Sequence, residues 1–392
     1  MLKQFKTNNI ILALMFFEIC LLPVWHLGPI PFKFSLLVII YSFRKKIPKS
    51  SFILPFLALI ILLWLGKFYS YLFLGEYEFQ ETIKITLNYF TIIGVFLYSK
   101  KIKIPDNLNW LALLAIAYSF INICVFILAP KYPSIMSFYN LETRLEEGLF
   151  LYRNPGTLTN PNGSAMLANL ILLFWVVANK NNLINLKSKF WDILVFASIG
   201  LAIISFVSKS GILAYFILCV LDFRKYFSIR NLFKAFVPII IIAFLISNFI
   251  KQLSENELQV LEFGIDKIVN FDKALESEIN LDYSKNGSRI FKVNAAFENF
   301  SISPLFGVGS DRSTGDILNR VAYHNDWSEV LVSTGLIGFL FYLLMVYRIF
   351  KLEYIFTLPF LIPGLTNAFI FTFQIAAFYF LFVGLILNLK KQ

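Results

Sequence analysis

Long apolar runs alternate with short polar loops over most of the 392 residues. A run of about 20 apolar residues crosses the hydrocarbon core of a bilayer as a helix, and shorter runs cross it when tilted or packed among other helices. The pattern therefore predicts an all-α polytopic membrane protein with about twelve transmembrane helices. The predicted spans are residues 9–25, 30–43, 51–74, 81–99, 109–130, 163–179, 190–207, 210–222, 232–250, 327–347, 353–363 and 365–389.

Two polar segments interrupt this pattern and are long enough to carry chemistry. One covers residues 131–162, and the other, 251–326, forms a large loop with short helices between the ninth and tenth spans. The chain is thus predicted to contain three regions: spans one to nine in 1–250, the large loop in 251–326, and spans ten to twelve in 327–392.

Composition and charge place these segments relative to the membrane. A mean hydropathy of +0.71 with 15% charged residues excludes an ordinary soluble chain. The net charge of +11 does not indicate a nucleic-acid partner, because most Lys and Arg lie in short loops between apolar runs. When loops are assigned to alternate sides, these cations concentrate on the side that holds both termini. By the positive-inside rule, both termini are cytoplasmic and both polar segments face outward.

The three cysteines carry no predicted chemistry. Cys20, Cys124 and Cys219 all lie within apolar spans, and their spacing matches neither a metal site nor a disulfide framework. We interpret them as packing residues. The sequence also has no cluster of acidic residues that is typical of a metal site, so no metal and no cofactor are expected.

The first polar segment contains a run of turn-forming residues from Arg153 to Gly163. Its Asn-Pro and Pro-Asn pairs and its two glycines force irregular backbone, which is tolerated at membrane depth only beside protein or a water-filled cavity. We expect Asn162 to cap the helix that follows. The alternative interpretation is a simple capped turn with a surface arginine.

The second polar segment contains a cluster of cations. Lys285, Arg289 and Lys292 have no acidic residue between them, although the segment as a whole is acidic. Ser288 can cap a short helix that places Arg289 and Lys292 on one face. Free N–H groups at a helix N-terminus together with a guanidinium bind phosphate oxygens well. The alternative is a solvated charge run without a ligand.

His324 lies just before the tenth span. Asn325 or Asp326 can cap the helix predicted to start at Trp327, so His324 lies at the end of a membrane helix. An imidazole titrates near neutrality and can accept a proton from a hydroxyl group. A single histidine in a loop is otherwise an ordinary surface residue.

Charged residues inside the spans indicate an outward cavity. Lys67 lies late in an outgoing helix and Lys84 early in the next one, so both belong to the outer half of the membrane. Such residues usually face an aqueous or protein-lined interior. A transporter would instead favour polar sites at the midplane and repeated halves, and the sequence contains no internal repeat.

Three motifs in the same order resemble the O-antigen polymerase and O-antigen ligase family. The third opens with a His-Asn pair and continues into a helix with a Gly-x-x-Gly step. The motifs are Arg153 with Asn160-Pro161-Asn162, Ser288-Arg289 with Pro304-Leu305-Phe306-Gly307-Val308-Gly309, and His324-Asn325 with Gly335 and Gly338.

One position departs from the family pattern. Ser208-Lys209-Ser210-Gly211 stands where a Ser-Arg-Gly step is usual. Lys209 keeps the positive charge but lacks the paired donors of a guanidinium. In one interpretation the Lys209 ammonium binds a diphosphate. In the other it has no ligand, and the side chain extends from the end of a helix toward water.

The resemblance implies glycosyl transfer on the outer side of the bacterial cytoplasmic (inner) membrane, from glycans linked through pyrophosphate to undecaprenol. The family pattern assigns the base to His324 and the leaving-group contact to Arg289. Substrate binding falls to a second set of matching residues. These are Arg153, Lys209, Lys292, Asn160, Asn162 and Asn325.

Within the family, the departure at Lys209 favours a polymerase that joins lipid-linked repeat units by metal-independent inverting displacement. An O-antigen ligase that transfers glycan to lipid A-core is the first alternative. A polysaccharide flippase is the second, and a non-catalytic scaffold is a weaker one. The expected partners are the lipid-linked glycan and the bilayer, with a chain-length regulator as a candidate.

Overall fold

A computed structural model describes most of the bundle-forming part of the chain. The described residues are 2–23, 25–27, 30–32, 52–75, 79–102, 107–141, 154–186, 189–223, 289–310, 325–361, 370 and 372–389. The helices are α1 Leu2–Leu21, α2 Ile53–Leu74, α3 Gln80–Lys101, α4 Trp110–Leu128, α5 Pro133–Phe138, α6 Pro161–Lys180, α7 Lys189–Phe206, α8 Lys209–Phe223, α9 Arg289–Ile302, α10 Asp326–Leu352, α11 Leu358–Leu361 and α12 Phe373–Leu389. Strands β1 Trp25–Leu27 and β2 Ile30–Phe32, with 3₁₀ turns at Ala129–Lys131 and Tyr354–Thr357, complete the described elements.

Six of the described helices are long and apolar enough to cross a membrane. They are α2, α3, α4, α6, α7 and α10, and shorter apolar helices lie at Ile10–Leu21, Lys209–Leu221 and Phe373–Leu389. The helical, multi-pass class expected from the sequence is confirmed. The count of twelve spans remains a prediction, since residues 232–250 and most of 251–326 lie outside the described ranges.

The predicted boundaries of the first two spans are wrong. Helix α1 ends at Leu21, and Trp25–Leu27 pairs antiparallel with Ile30–Phe32 as a hairpin, with Trp25 opposite Phe32. Pro23, Pro29 and Pro31 explain the difference, because proline cannot continue a helix but is accepted in a short edge ribbon. The span predicted at 30–43 therefore does not begin at residue 30.

The last two predicted spans also differ from the structure. Residues 353–361 form a 3₁₀ turn and the four-residue helix α11 rather than one continuous helix, and α12 begins at Phe373 rather than at 365. Pro359 lacks the N–H group that a helix interior needs. The split of the 190–222 region into two helices is confirmed, since α7 ends at Phe206 and α8 begins at Lys209.

Helices α6 and α12 form the centre of the bundle. Almost every residue of α6 and of α12 up to Ile386 is buried, which is expected for helices that are apolar on all sides. Phe174 of α6 stacks on Phe382 of α12 with ring centroids 3.9 Å apart, and on Phe378 at 4.8 Å. Helices α4, α7 and α8 pack against α6, α3 packs against α12, and α2 packs against α10.

The helix ends sort into two groups that match the predicted sides. At one end of the bundle, here called the basic end, the Asn388 side chain donates to the Ile102 carbonyl at 2.8 Å, and the Lys180 ammonium pairs with the Glu353 carboxylate at 2.9 Å. The other, here called the loop end, contains the C-termini of α1, α2, α4 and α7 and the N-termini of α3, α6, α8, α10 and α12; there Gln374 donates to the Ile19 carbonyl at 3.2 Å. Loops predicted on one side of the membrane thus meet in space.

Candidate functional site

Helix α10 is broken one-third of the way along its length. Gly335 has φ 65° and ψ −171°, a conformation that residues with a side chain rarely adopt. A break here removes the two helical hydrogen bonds from Leu336 to Val332 and from Ile337 to Ser333. Two N–H groups and two carbonyls inside the bundle therefore need new partners.

Residues 303–310, here called the inserted segment, supply all four partners. Its N–H groups reach the freed carbonyls, and its carbonyls accept from the freed N–H groups. The bonds are Val308 N–H to Val332 O (2.9 Å), Gly309 N–H to Ser333 O (3.1 Å), Leu336 N–H to Pro304 O (2.8 Å) and Ile337 N–H to Leu305 O (3.3 Å). The motif Pro304–Gly309 and the motif Gly335–Gly338 are thus two halves of one structure.

Helices α2 and α3 contact the other side of the inserted segment. The Ser70 hydroxyl donates to the Val308 carbonyl, and the Thr82 hydroxyl donates to the Ser310 carbonyl at 3.0 Å. Ser70 and Thr82 are buried, with exposed fractions of 1% and 0%. The segment is therefore bonded on both sides, as irregular backbone at membrane depth requires.

Lys67 lies beside this contact. Its side chain is completely buried, and its ammonium lies 5.3 Å from the centroid of the Phe79 ring, within the range of a cation–π interaction. The α-carbon of Lys67 lies against Gly309, where a β-carbon on that glycine would approach to 2.8 Å. The expectation that Lys67 faces a protein-lined interior is therefore confirmed.

Helix α9 leads from the cation cluster to the inserted segment. The backbones of Arg289 and Lys292 lie in its first turn, and Ala296 packs with Val308 and Val332 in one small cluster. At a rise of about 1.5 Å per residue, Arg289 lies roughly 20 Å from the end of α9, and Asn325 roughly 16 Å from the break in α10. Both helices start at similar distances from the inserted segment.

Asn325 caps helix α10, as one of the two alternatives from the sequence predicts. Its side-chain oxygen accepts from the Ser328 N–H at 2.7 Å, and the helix begins at Asp326 rather than Trp327. The Asp326 carboxylate accepts from the Ile370 N–H at 2.9 Å, and both Asp326 and Glu329 are buried. His324 precedes this cap and lies outside the described residues.

Buried amides fix the turn that follows Arg153. The Asn154 side chain donates to the Asn122 carbonyl and the Ser205 hydroxyl, both at 3.0 Å. The Asn122 side-chain oxygen accepts from the Thr157 N–H at 2.8 Å, and the Thr157 hydroxyl donates to the Cys20 carbonyl at 3.2 Å. The turn is thereby bonded to α1, α4 and α7, while Arg153 itself lies outside the described residues.

Asn160, not Asn162, caps helix α6. Its side-chain oxygen accepts from the N–H groups of Asn162 (2.9 Å) and Gly163 (3.3 Å). Pro161 explains this correction, because proline is preferred at the first helical position and the cap is then the residue before it. The Asn162 side-chain oxygen instead accepts from the Ser208 hydroxyl at 3.0 Å.

The break between α7 and α8 lies against α6. Val207 has φ 48°, Ser208 bonds to the first turn of α6, and Lys209 begins α8 with an exposed side chain. About two helical turns further along α6, the Asn169 side chain donates to the Gly211 carbonyl at 2.9 Å. Two contacts thus fix the backbone that carries Lys209.

The structure brings some of the predicted site residues together. Asn160, Asn162 and Lys209 lie at the adjacent starts of α6 and α8. Arg289 and Lys292 lie in the first turn of α9, and Asn325 caps α10. The polar positions that sequence reasoning missed are buried within apolar helices. They are Ser70 and Asn122, each isolated in an apolar run, and Thr82, which follows Gln80 and Glu81 in the first turn of α3; the glycine Gly66 was missed as well.

Comparison with known proteins gives a match to a family model. Residues 193–343 match a family model described as O-antigen ligase. This range contains Lys209, Arg289, His324, the inserted segment and Gly335, and it excludes the turn at 154–160. A search of curated proteins finds no match to the chain.

Proposed function

Because residues 193–343 match a family model described as O-antigen ligase, we propose that the chain transfers undecaprenyl-pyrophosphate-linked glycan on the outer side of the bacterial inner membrane. The proposed reaction polymerises oligosaccharide repeat units of O-antigen or capsule. The proposed site consists of the starts of α6, α8, α9 and α10, with the bilayer itself holding the lipid part of the donor.

The proposed chemistry is a single displacement with inversion and without a metal. His324 takes the proton of the acceptor hydroxyl while that oxygen attacks the anomeric carbon of the donor sugar. The bond between this carbon and the pyrophosphate oxygen breaks, and its electron pair leaves with the lipid pyrophosphate. Arg289 and Lys292 stabilise the charge that develops there. Asp326 and Glu329 are buried, which argues against either as a nucleophile that reaches the sugar.

The observation that carries the proposal is the exchange of hydrogen bonds between the inserted segment and α10. It joins the C-terminal end of α9, the helix that begins at Arg289, to the break in α10, the helix that begins at Asp326 shortly after His324. A base and a leaving-group cation on two separate loops would need such a connection to keep a constant separation. The sequence distance between these residues is therefore bridged by backbone bonds inside the bundle.

The placement of cations at helix starts supports an anionic substrate. Helices α8 and α9 begin with Lys209 and Arg289, and neither has an acidic residue in its first turn. The helix dipole disfavours a cation at an N-terminus by about 0.3–1 kcal/mol. A bound pyrophosphate removes this penalty, because it accepts from the free N–H groups and pairs with the cation. Arg153, Asn160, Asn162 and Asn325 are proposed to contact the pyrophosphate or the glycan.

The closest competing function within the family is ligation of glycan to lipid A-core. The chain has Lys209 where the family pattern has arginine, and this departure favours the polymerase, whose members vary more in sequence. A chain-length regulator is a proposed partner of the polymerase. A flippase is the alternative of a different class.

Reconstitution tests the proposal directly. The purified protein in nanodiscs is mixed with lipid-linked repeat units alone or together with lipid A-core, without divalent cations. A polymerase extends the repeat units into a ladder without lipid A-core, whereas a ligase forms a product only when lipid A-core is present. Absence of any glycan product in both mixtures contradicts the proposed function.

A further inference from the structure

Gly66 of α2 packs closely against the backbone of the inserted segment. A β-carbon at this position would lie 2.6 Å from the Gly309 nitrogen, 2.9 Å from the Ser333 oxygen and 3.1 Å from the Gly307 carbonyl carbon. All three are backbone atoms, so none can rotate away as the end of a side chain can. Two of them belong to the inserted segment and one to the broken turn of α10.

The neighbouring bonds give the segment little freedom to shift. Gly309 donates to the Ser333 carbonyl, so the atoms that Gly66 contacts are partners in one of the exchanged bonds. On the same side, Ser70 and Thr82 donate to the carbonyls of Val308 and Ser310. Any group added at Gly66 must therefore displace the segment, the broken turn, or both.

We propose that Gly66 is a positioning residue for the glycosyl transfer. Because Gly66 has no side chain, α2 can pack directly against the inserted segment at the break of α10. This contact fixes the position of the start of α9 relative to the start of α10. The inference rests on the proposed function for its kinetic consequence, but its structural consequence can be measured without any substrate. Thr82 has the same role through its bond to the Ser310 carbonyl.

A displacement at Gly66 reaches the reacting groups through continuous backbone. The inserted segment follows Ile302, the last residue of α9, without an intervening loop. Its bonds to the carbonyls of Val332 and Ser333 connect it to the turn before the break, in the part of α10 that begins shortly after His324. A misplacement of about 1 Å between catalytic groups can lower a rate about 10²-fold, so a small shift is expected to have a large effect.

The kinetic experiment compares four variants with the wild type, with rates expressed per folded molecule in the monodisperse fraction. Gly66→Ala is expected to lower kcat about 10²-fold. Thr82→Val, which removes the hydroxyl but keeps the shape, is expected to lower kcat about ten-fold, and Thr82→Ser is expected to restore it. Gly200→Ala is the matched control, since the three atoms nearest its β-carbon are side-chain atoms of Tyr215 and none belongs to the inserted segment. A variant that only folds less well gives less folded protein, but each folded molecule keeps the wild-type rate.

The structural experiment measures the separation of α9 and α10 with spin labels. Labels at the exposed positions Asn294 and Leu340 are introduced after replacement of Cys20, Cys124 and Cys219 by alanine. Gly66→Ala is expected to shift or broaden the distance distribution, and Gly200→Ala to leave it unchanged. An unaltered distribution in Gly66→Ala overturns the inference. A shifted distribution in a protein whose wild type transfers no glycan instead supports the positioning contact and contradicts the proposed function.

Discussion

Lys209 and Arg289 are the first residues of their helices, and this position decides what each can do. A cation there stands beside N–H groups that lack helical partners, so both can act on the same oxygen atoms. The side chains differ in geometry, because a guanidinium presents paired donors and an ammonium acts as a point charge. Substitutions that exchange these two side chains therefore separate charge from geometry.

Arg289 is expected to need both its charge and its paired donors. Arg289→Ala should abolish long-chain glycan while the protein remains in the membrane, and Arg289→Lys should restore only part of the product. Gel analysis of the glycan measures chain length, and immunoblotting of membranes measures the protein. Arg348→Ala, the same change at the basic end, is the control and should leave the glycan unchanged. Full activity of Arg289→Ala would contradict the role in leaving-group stabilisation.

Lys209 is expected to need its charge more than its shape. Lys209→Gln should lower the transfer rate roughly 10- to 100-fold, since hydrogen bonds to charged groups contribute about 1.5–3 kcal/mol. Lys209→Arg should keep the rate near that of the wild type, because the contacts of Ser208 and Asn169 fix the backbone in both proteins. Initial rates with lipid-linked repeat units measure the difference. Equal loss in both variants would indicate a steric rather than an electrostatic role.

At the scale of elements, the sequence predicts helices better than it predicts their interruptions. Most long helices follow from apolar length alone, and α2 at Ile53–Leu74 lies within two residues of the predicted 51–74. The break at Gly335 could not be predicted, because a glycine in an apolar run is usually a packing residue. The residues that bond to the broken turn, within 304–309, lie well before it in the chain. No local sequence pattern predicts hydrogen bonds between segments so far apart in sequence. For the same reason Gly66 gave no signal.

Gly335 offers a clean test of the broken helix. Gly335→Ala adds a β-carbon that collides with the carbonyl of Leu305, in addition to the strain of a positive φ. Gly75→Ala is the matched control, since Gly75 has φ 70° but no atom within 4 Å of the added carbon. The control should cost about 1 kcal/mol of unfolding free energy from strain in its αL backbone. Gly335→Ala should cost about 1–3 kcal/mol more, from the collision and from a ψ of −171° that residues with a side chain rarely adopt at positive φ. Thermal unfolding of the detergent-solubilised proteins measures both, and equal losses would contradict the bond exchange.

At the scale of the whole molecule, charge and contact divide the helix ends in the same way. Lys100, Lys101, Lys180 and Lys351 lie at the basic end, on the side that the positive-inside rule assigns to the cytoplasm. The apolar pattern predicts which ends share a side, because successive spans alternate. It does not predict which ends touch, since that depends on packing between helices far apart in sequence. The pairing of α10 with α2 is an example.

The membrane orientation is tested with accessibility tags. Tags at both termini and after Lys103 are expected to be cytoplasmic, and a tag near Asp282 is expected to be accessible from outside intact cells. A membrane-impermeant reagent applied to whole cells and to lysed cells distinguishes the two sides. An Asp282 tag that reacts only after lysis would overturn the orientation and the assignment of the site to the outer face.

His324 separates an enzyme from a transporter. In His324→Ala, transfer is expected to fall by about 10²- to 10⁴-fold, the usual contribution of a general base, so long chains should nearly vanish. Lipid-linked repeat units should still reach the outer leaflet and accumulate there, because their export does not depend on the base. His26→Ala is the control and should change neither measurement.

Labelling of repeat units on intact and on opened cells quantifies the lipid-linked repeat units in each leaflet. Accumulation confined to the inner leaflet in His324→Ala would contradict the polymerase and the ligase together and favour a flippase.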